Sequence, residues 1–124
     1  MILMLDNVSP EDTDIYNDND IDALRERIDT AAARQRSRYR REAFLYNSRV
    51  PASAIGRLIP LSDPVASLLR EASHQFHLSM RTQHNAIRTA RTLADLSDQD
   101  EITASHMLEA LQYRPRGFLL GEGG

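Results

Sequence analysis

The apolar residues between positions 63 and 111 recur at intervals of three and four, and this spacing constrains the fold more than any other feature. Residues spaced in this way share one face of an α-helix. Three such stretches begin at a residue that commonly caps helices: Asp63, with Pro64 behind it, Ser79 and Thr103. The sequence therefore predicts three consecutive helices. Their expected inner faces are Val65, Leu68, Leu69, Ala72 and Phe76, then Ala86, Ile87, Ala90, Leu93 and Ala94, then Met107, Leu108 and Leu111.

Two further helices are predicted upstream of these three. The first extends from about Asp20 to Tyr46, with Asn19 or Asp20 as its N-cap, and a short second helix lies near 51–59. The apolar seam expected on the first helix consists of Ile21, Leu24, Ile28, Ala31, Gln35 and Tyr39. The sequence thus predicts an all-α fold, a compact bundle of about five helices, over residues 20–114.

Charge is distributed unevenly along the chain and suggests where this domain begins and ends. Residues 1–22 contain seven acids and no base, whereas residues 23–57 contain nine Arg and three acids. We expect residues 1–19 to form a disordered acidic leader or linker. We expect residues 115–124, which contain one Pro and four Gly, to form a flexible tail.

Several function classes are excluded by composition. All fifteen basic residues are Arg, and a phosphate-binding P-loop needs a Lys, so the chain by itself is not a P-loop ATPase. The absence of Cys excludes a disulfide scaffold and a thiol nucleophile. No acid beside His74, His77 or His84 completes a familiar ligand set, and we predict no metal site. No apolar run has membrane-spanning length, so we expect a cytoplasmic protein without a membrane contact.

The arginines of the first predicted helix form two stripes. Arg27, Arg34, Arg38 and Arg41 fall on one side of the apolar seam, and Arg25, Arg36 and Arg40 fall on the other. One interpretation is a phosphate-binding face, because guanidinium groups match phosphate geometry. The other is a solvated helix whose arginine stems cover apolar surface. The sequence leaves both open.

Arg81 stands out in the fourth predicted helix. With Ser79 as the N-cap, Arg81 lies in the first turn, where a positive charge opposes the helix dipole. An anion bound there would meet both the guanidinium group and free backbone N–H groups. The same helix carries Arg91 and Asp95 four residues apart, and we expect these two to form a structural ion pair.

The fourth and fifth predicted helices also carry a family resemblance. The run Leu78-Ser79-Met80-Arg81, the run from Ile87 to Leu96, and the residues Ile102, His106 and Glu109 to Arg114 resemble the C-terminal helical domain of the magnesium-chelatase-like AAA+ ATPases. Within that family they are most similar to the branch of the bacterial competence protein ComM. The resemblance extends over about 20–114 and is specific over 78–114.

This resemblance implies a lid domain that closes over ATP held by a separate P-loop core. Arg81 occupies the position of the family's sensor-2 arginine, which reaches the terminal phosphate of the nucleotide. ATP and Mg²⁺ would be bound only through that core, and this chain alone would have no catalytic activity. The implied partners are the ATPase core and neighbouring subunits of a ring, and the ComM branch implies a DNA-processing motor. The wider family also includes porphyrin metallation.

Two alternatives come from other function classes. The domain could be an independent nucleic-acid-binding module that uses Arg27, Arg34, Arg38 and Arg41, in which case its affinity would fall steeply with salt. It could also be a small adaptor whose apolar groove receives a partner helix.

Overall fold

A computed structural model describes residues 18–113, which form five α-helices. These are α1 (Asp18–Arg38), α2 (Ile55–Leu58), α3 (Asp63–Phe76), α4 (Met80–Leu96) and α5 (Ala104–Leu111), with 3₁₀ turns at Asn47–Arg49 and Ala52–Ala54. No strand occurs between residues 18 and 113. The predicted all-α bundle of about five helices is confirmed. The predicted tail, and the predicted leader up to residue 17, lie outside the described residues.

Helix α4 lies at the centre of the bundle, where it packs against α1, α5 and the 3₁₀ turn at Asn47–Arg49. Ala86, Ala90 and Ala94 recur every four residues on its inner face and are all buried. Because their side chains are small, neighbouring elements can approach the helix closely. Ile87, beside them, is also in the core, as predicted.

The predicted caps of α4 and α5 are confirmed by hydrogen bonds. The Thr82 backbone N–H donates to Ser79 Oγ at 3.1 Å. At the start of α5, the His106 N–H donates to Thr103 Oγ1, and the Thr103 N–H donates to His106 Nδ1 at 3.0 Å. This reciprocal pair is a capping box in which His replaces the usual Glu or Gln. It orients α5 so that Met107 and Leu111 enter the core.

The start points predicted for two helices are slightly wrong. Helix α3 begins at Asp63 and has Ser62 as its N-cap, although the first-turn position of Pro64 is confirmed. Asn19 and Asp20 are already helical, since α1 includes Asp18.

Helix α1 ends at Arg38, eight residues before the predicted end at Tyr46. The reason is the Tyr39 side chain, which is completely buried and packs against Phe44 with 5.3 Å between ring centroids. Its hydroxyl donates to Asn47 Oδ1 at 2.5 Å. A continuous helix would carry Asn47 away from Tyr39, so the chain has to turn immediately after Arg38.

The apolar seam predicted on α1 is only half buried. Ala31, Gln35 and Tyr39 lie in the interior, but Ile21, Leu24 and Ile28 are 43%, 52% and 50% exposed. The first part of α1 therefore extends beyond the bundle. Two other residues predicted to be inward are also exposed, Phe76 at the end of α3 and Leu108 on α5. Helical spacing identifies an apolar face correctly, but only the packing of the other helices decides how much of it is covered.

Candidate functional site

The N-terminus of α4 presents Arg81 to solvent. Arg81 is the second residue of the helix and is exposed, as is Met80 before it. Within the part of the chain that the structure describes, Arg81 has no hydrogen-bond or ion-pair partner. The hydrogen bond from Thr82 to Ser79 fixes the direction of this first turn, and the Gln83 N–H donates to the Ser79 carbonyl.

This end of α4 is electropositive for two reasons. The backbone N–H groups of Met80 and Arg81 have no carbonyl within the helix to bind, and the helix dipole adds partial positive charge. Helix α4 has no acid in its first turn to offset this charge. A guanidinium group placed here is mildly destabilising unless an anion is present. The arrangement therefore suits an anionic group that meets Arg81 and the helix terminus together.

The predicted arginine stripe of α1 is not a uniformly free surface. Arg27 Nε donates to the carbonyl of Leu96 at 3.2 Å. Arg34 forms ion pairs with Asp98 and Asp100, each at 2.9 Å, and also donates to the Asp98 carbonyl. These contacts fasten α1 to the loop that follows α4. The Asp98 backbone adopts a left-handed conformation with φ 56°, which is uncommon for residues other than Gly but is adopted by Asp and Asn more often than by most residues, and this turn holds Asp98 opposite Arg34.

Arg38, the third member of the stripe, belongs to a buried polar cluster. Its guanidinium group binds the Asp95 carboxylate through two hydrogen bonds, of 2.6 Å and 2.9 Å. Asn47, which is completely buried, accepts from Arg38 and donates to Asp95 at 2.9 Å. The Asn47 backbone N–H donates to Gln35 Oε1 at 2.8 Å, and its amide also donates to Thr92. Asn47 therefore joins α1, α4 and the connecting loop. Arg41, the fourth stripe residue, is exposed.

The predicted pair of Arg91 and Asp95 is confirmed, with 3.2 Å between Nη2 and Oδ1. Arg91 is only 5% exposed and donates to the carbonyls of Asp100 at 2.8 Å and Gln99 at 2.7 Å. Among residues 18–113, its Nε is buried without a hydrogen-bond partner. Asp95 thus receives two guanidinium groups, and the loop after α4 is tied to the helix by Arg91.

The pKa directions in this cluster follow from burial and charge. Burial lowers the pKa of Arg91, and Asp95 offsets this only in part. Burial also opposes the charge on Arg38, but the hydrogen bonds and the charge of Asp95 outweigh it and raise the pKa of Arg38. Burial raises the pKa of Tyr39. Asp95 thus favours the charged form of both arginines against the effect of burial.

The cluster around Asp95 has a structural role, because its polar atoms bind one another and are buried. Of its members, the sequence identified the Arg91–Asp95 pair but missed the larger contribution of Arg38 to holding Asp95. The signal that could have revealed the cluster was Asn47, a polar residue between two predicted helices. The part of the chain with coordinates, residues 18–113, contains no group of three His, Cys, Asp or Glu side chains arranged to hold a metal ion.

The similarity to known proteins extends over nearly all of the described residues. Residues 19–114 match the family model of the magnesium chelatase subunit ChlI C-terminal domain. The chain belongs to this family. The match includes all five helices except for Asp18 at the start of α1, so both Arg81 and the Asp95 cluster lie inside the family domain.

Two relatives agree with this assignment. The chain is 35% identical to competence protein ComM of Haemophilus influenzae over 68 residues, which are 55% of this chain and 13% of that protein. It is 32% identical to the uncharacterized protein YifB of Salmonella typhimurium over 91 residues, which are 73% of this chain and 17% of that protein. The chain thus spans less than a fifth of the length of either relative. No solved structure is significantly similar to it.

The remaining sequence predictions stand as follows. None of the helices described between residues 18 and 113 is both long and apolar enough to cross a membrane. The structure shows that Arg27, Arg34 and Arg38 bind other parts of the domain. Nucleic-acid binding by these residues and Arg41 stays a prediction, as does the sensor-2 role of Arg81.

Proposed function

We propose that this chain is the lid domain of a magnesium-chelatase-like AAA+ ATPase and that Arg81 is its sensor-2 arginine. The domain would close over ATP held by a separate P-loop core. Arg81 would then contact the terminal phosphate, either in its own subunit or in a neighbour. The domain would contribute nucleotide sensing and no catalysis of its own.

The observation that supports this role is the exposed position of Arg81, without a partner among residues 18–113, at an electropositive helix terminus. Elsewhere in α4 the arginines are used internally: Arg88 donates to the Val50 carbonyl at 2.8 Å, and Arg91 is buried in the Asp95 cluster. Arg81 differs from both because it lies where it disfavours the free helix and favours an anion-bound one.

The residues present fit one part of a nucleotide site. Arg81 and the first-turn N–H groups suit a phosphate oxygen, whereas a chain without Lys lacks the P-loop that holds the triphosphate. ATP and Mg²⁺ would therefore be bound mainly by the core. When bound there, ATP supplies the phosphoryl group to be transferred, and Arg81 stabilises negative charge on its oxygens.

Helix α4 also offers a way to couple nucleotide binding to the rest of the domain. Arg81 is near its N-terminus, and Asp95, fourteen residues later, is bound to Arg38 of α1. At 1.5 Å per residue, the two positions are roughly 20 Å apart along one rigid helix. Movement of Arg81 towards a phosphate would therefore carry α1 with it. The similarity to ComM, a competence protein, leads us to propose that the parent motor processes DNA.

The test is ATP hydrolysis by the domain assembled with its P-loop core. We expect Arg81→Ala to lower the hydrolysis rate by roughly 10³-fold, by comparison with arginine fingers. Arg25→Ala is the matched control, since Arg25 is also exposed and without a partner in the described residues. Arg81→Lys should recover only part of the activity, because a Lys is a point charge and lacks the planar fork.

Two measurements separate a sensor from a structural residue. Circular dichroism of the isolated domain should show Arg81→Ala to be as stable as the unchanged protein or slightly more stable. Nucleotide affinity of the assembly should fall together with the rate. Hydrolysis and affinity that match those of Arg25→Ala would show the assignment of Arg81 to be wrong.

A further inference from the structure

The arginines of this domain divide into two groups according to whether they have a partner. Residues 18–113 contain thirteen arginines. Seven of them donate a side-chain hydrogen bond within this range, and they are Arg27, Arg34, Arg38, Arg57, Arg70, Arg88 and Arg91. The other six are all exposed and have no such bond in the described range, and they are Arg25, Arg36, Arg40, Arg41, Arg49 and Arg81.

Four of these six arginines lie in one short stretch of the chain, between residues 36 and 49. Arg36 is in the last turn of α1, Arg40 and Arg41 are in the turn that follows, and Arg49 ends the next 3₁₀ turn. The loop returns towards the end of α1 just before Arg49, because Asn47, two residues earlier, binds Tyr39 and Arg38. We call Arg36, Arg40, Arg41 and Arg49 the arginine corner. The one acid in this stretch, Glu42, is already paired with Arg57 at 3.2 Å.

An exposed aromatic ring lies within the same loop. Tyr46 is 54% exposed and Leu45 before it is 45% exposed. Tyr46 is the N-cap residue of the 3₁₀ turn and has an extended backbone, with φ −129° and ψ 148°. Its position is firm because its carbonyl accepts from the Arg49 N–H at 2.9 Å, and its neighbour Asn47 is completely buried. An exposed ring on a fixed backbone is thus flanked in sequence by guanidinium groups that have no partner among residues 18–113.

We propose that the arginine corner and Tyr46 form a binding site for single-stranded nucleic acid. The guanidinium groups neutralise phosphates, and an unstacked base lies on the Tyr46 ring. This combination of backbone charge and an aromatic platform is how single strands are bound without sequence preference. The site goes beyond the nucleotide-sensing function proposed above, and it does not depend on Arg81.

A role in helix stability explains the presence of only one of the four arginines in the arginine corner. Arg36 in the last turn of α1 is stabilised by the negative end of the helix dipole, so helix stability alone justifies it. Arg40, Arg41 and Arg49 lie outside any α-helix and gain nothing comparable. Duplex DNA is a poorer fit than a single strand, because its bases are stacked inside and would leave Tyr46 without a role.

The experiment is fluorescence anisotropy of the full chain with a labelled oligothymidylate of about 12 nucleotides. Four phosphate contacts predict a log–log salt slope of about −2.8 for a single strand. The affinity should therefore fall roughly 50-fold between about 50 and 200 mM salt. Arg40→Gln combined with Arg41→Gln should reduce the slope to about −1.4, so that the same change in salt costs only about 7-fold. Arg25→Gln, outside the corner, should leave the slope unchanged.

The role of Tyr46 is tested by a pair of variants. Tyr46→Ala should weaken binding by about 5-fold or more through loss of stacking, whereas Tyr46→Phe keeps the ring and should bind like the unchanged chain. All of these side chains are exposed, so the variants should fold, and circular dichroism checks that they do.

Three outcomes would overturn the proposal. The first is a salt slope that the change at Arg40 and Arg41 does not alter. The second is equal binding by Tyr46→Ala and Tyr46→Phe, which would leave the ring without function. The third is binding of inorganic polyphosphate or of a duplex as tightly as oligothymidylate, which would indicate a general polyanion surface. None of these bears on Arg81, because its test measures ATP hydrolysis.

Discussion

Replacing Asp95 with Asn tests whether the buried polar cluster holds α1 on α4. Asp95 is completely buried, and the two guanidinium groups that bind it are only 18% and 6% exposed at the side chain. The substitution keeps the size of the side chain but removes the negative charge. It also turns one acceptor oxygen into an amide donor that faces the donors of Arg38 and Asn47. Two arginines would then be left buried without a compensating charge.

The size of the effect follows from this geometry. Breaking a buried pair by removing one partner typically costs about 3–5 kcal/mol, since the remaining charge loses its compensation. Arg91 keeps its bonds to the Asp100 and Gln99 carbonyls, and Arg38 keeps its bond to Asn47, so the effect should lie within that range and not above it. A domain of this size has a total stability of about 5–15 kcal/mol. The melting temperature should therefore fall by about 12 °C or more.

Thermal unfolding followed by circular dichroism measures this change, with Asp98→Asn as the control. Asp98 also pairs with an arginine, but its side chain is 70% exposed, so its loss should cost no more than about 1 kcal/mol. If Asp95→Asn costs no more than Asp98→Asn, the reasoning about a buried, charge-dependent cluster is refuted.

Two further predictions concern the hydrophobic core and the loss of folding stability at acid pH. Leu69 and Ile87 are only 6% and 8% exposed, so replacing either by Ala should lower the unfolding free energy by roughly 2–5 kcal/mol in urea titrations. Leu108 is half exposed, and Leu108→Ala should cost far less. Equal losses at all three positions would contradict the assigned buried faces. The hydrogen bond and charge of Arg34 lower the pKa of Asp100, so this contact stabilises the fold above the usual carboxyl pKa and is lost as pH falls below about 4. The urea midpoint of Asp100→Asn should consequently fall less between neutral and acid pH than that of the unchanged protein, and parallel pH profiles would exclude the contact.

Much of the fold could be predicted from the sequence because it depends on local rules. Ser79 and Thr103 cap their helices as expected, since a hydroxyl three residues before a backbone N–H is a purely local arrangement. The buried faces of α4 and α5 followed from helical spacing, with Leu108 as an exception. The end of α1 could not be predicted in this way, because it depends on Asn47 binding Tyr39, Arg38 and Asp95 from outside the helix.

The candidate sites show the same division. The first-turn position of Arg81 was evident from the sequence, because it needs only the cap and the helix dipole. Arg34, Arg38 and Arg41 shared one stripe of the predicted first helix, yet Arg34 and Arg38 bind acids of the α4 region while Arg41 does not. A helical projection gives the direction of a side chain but not what lies opposite it.

The sequence by itself thus determined that the chain is helical, where three of its helices begin, and which residues form apolar faces, because hydrogen bonds and side-chain periods within a helix are local. Only the tertiary structure decided which arginines are neutralised and how far α1 is covered. Asp95, Asp98 and Asp100 lie more than fifty residues from the arginines of α1 that they bind, and only folding brings these charges together. That packing leaves Arg81 and the arginine corner unpaired within the described residues, and so available to phosphates.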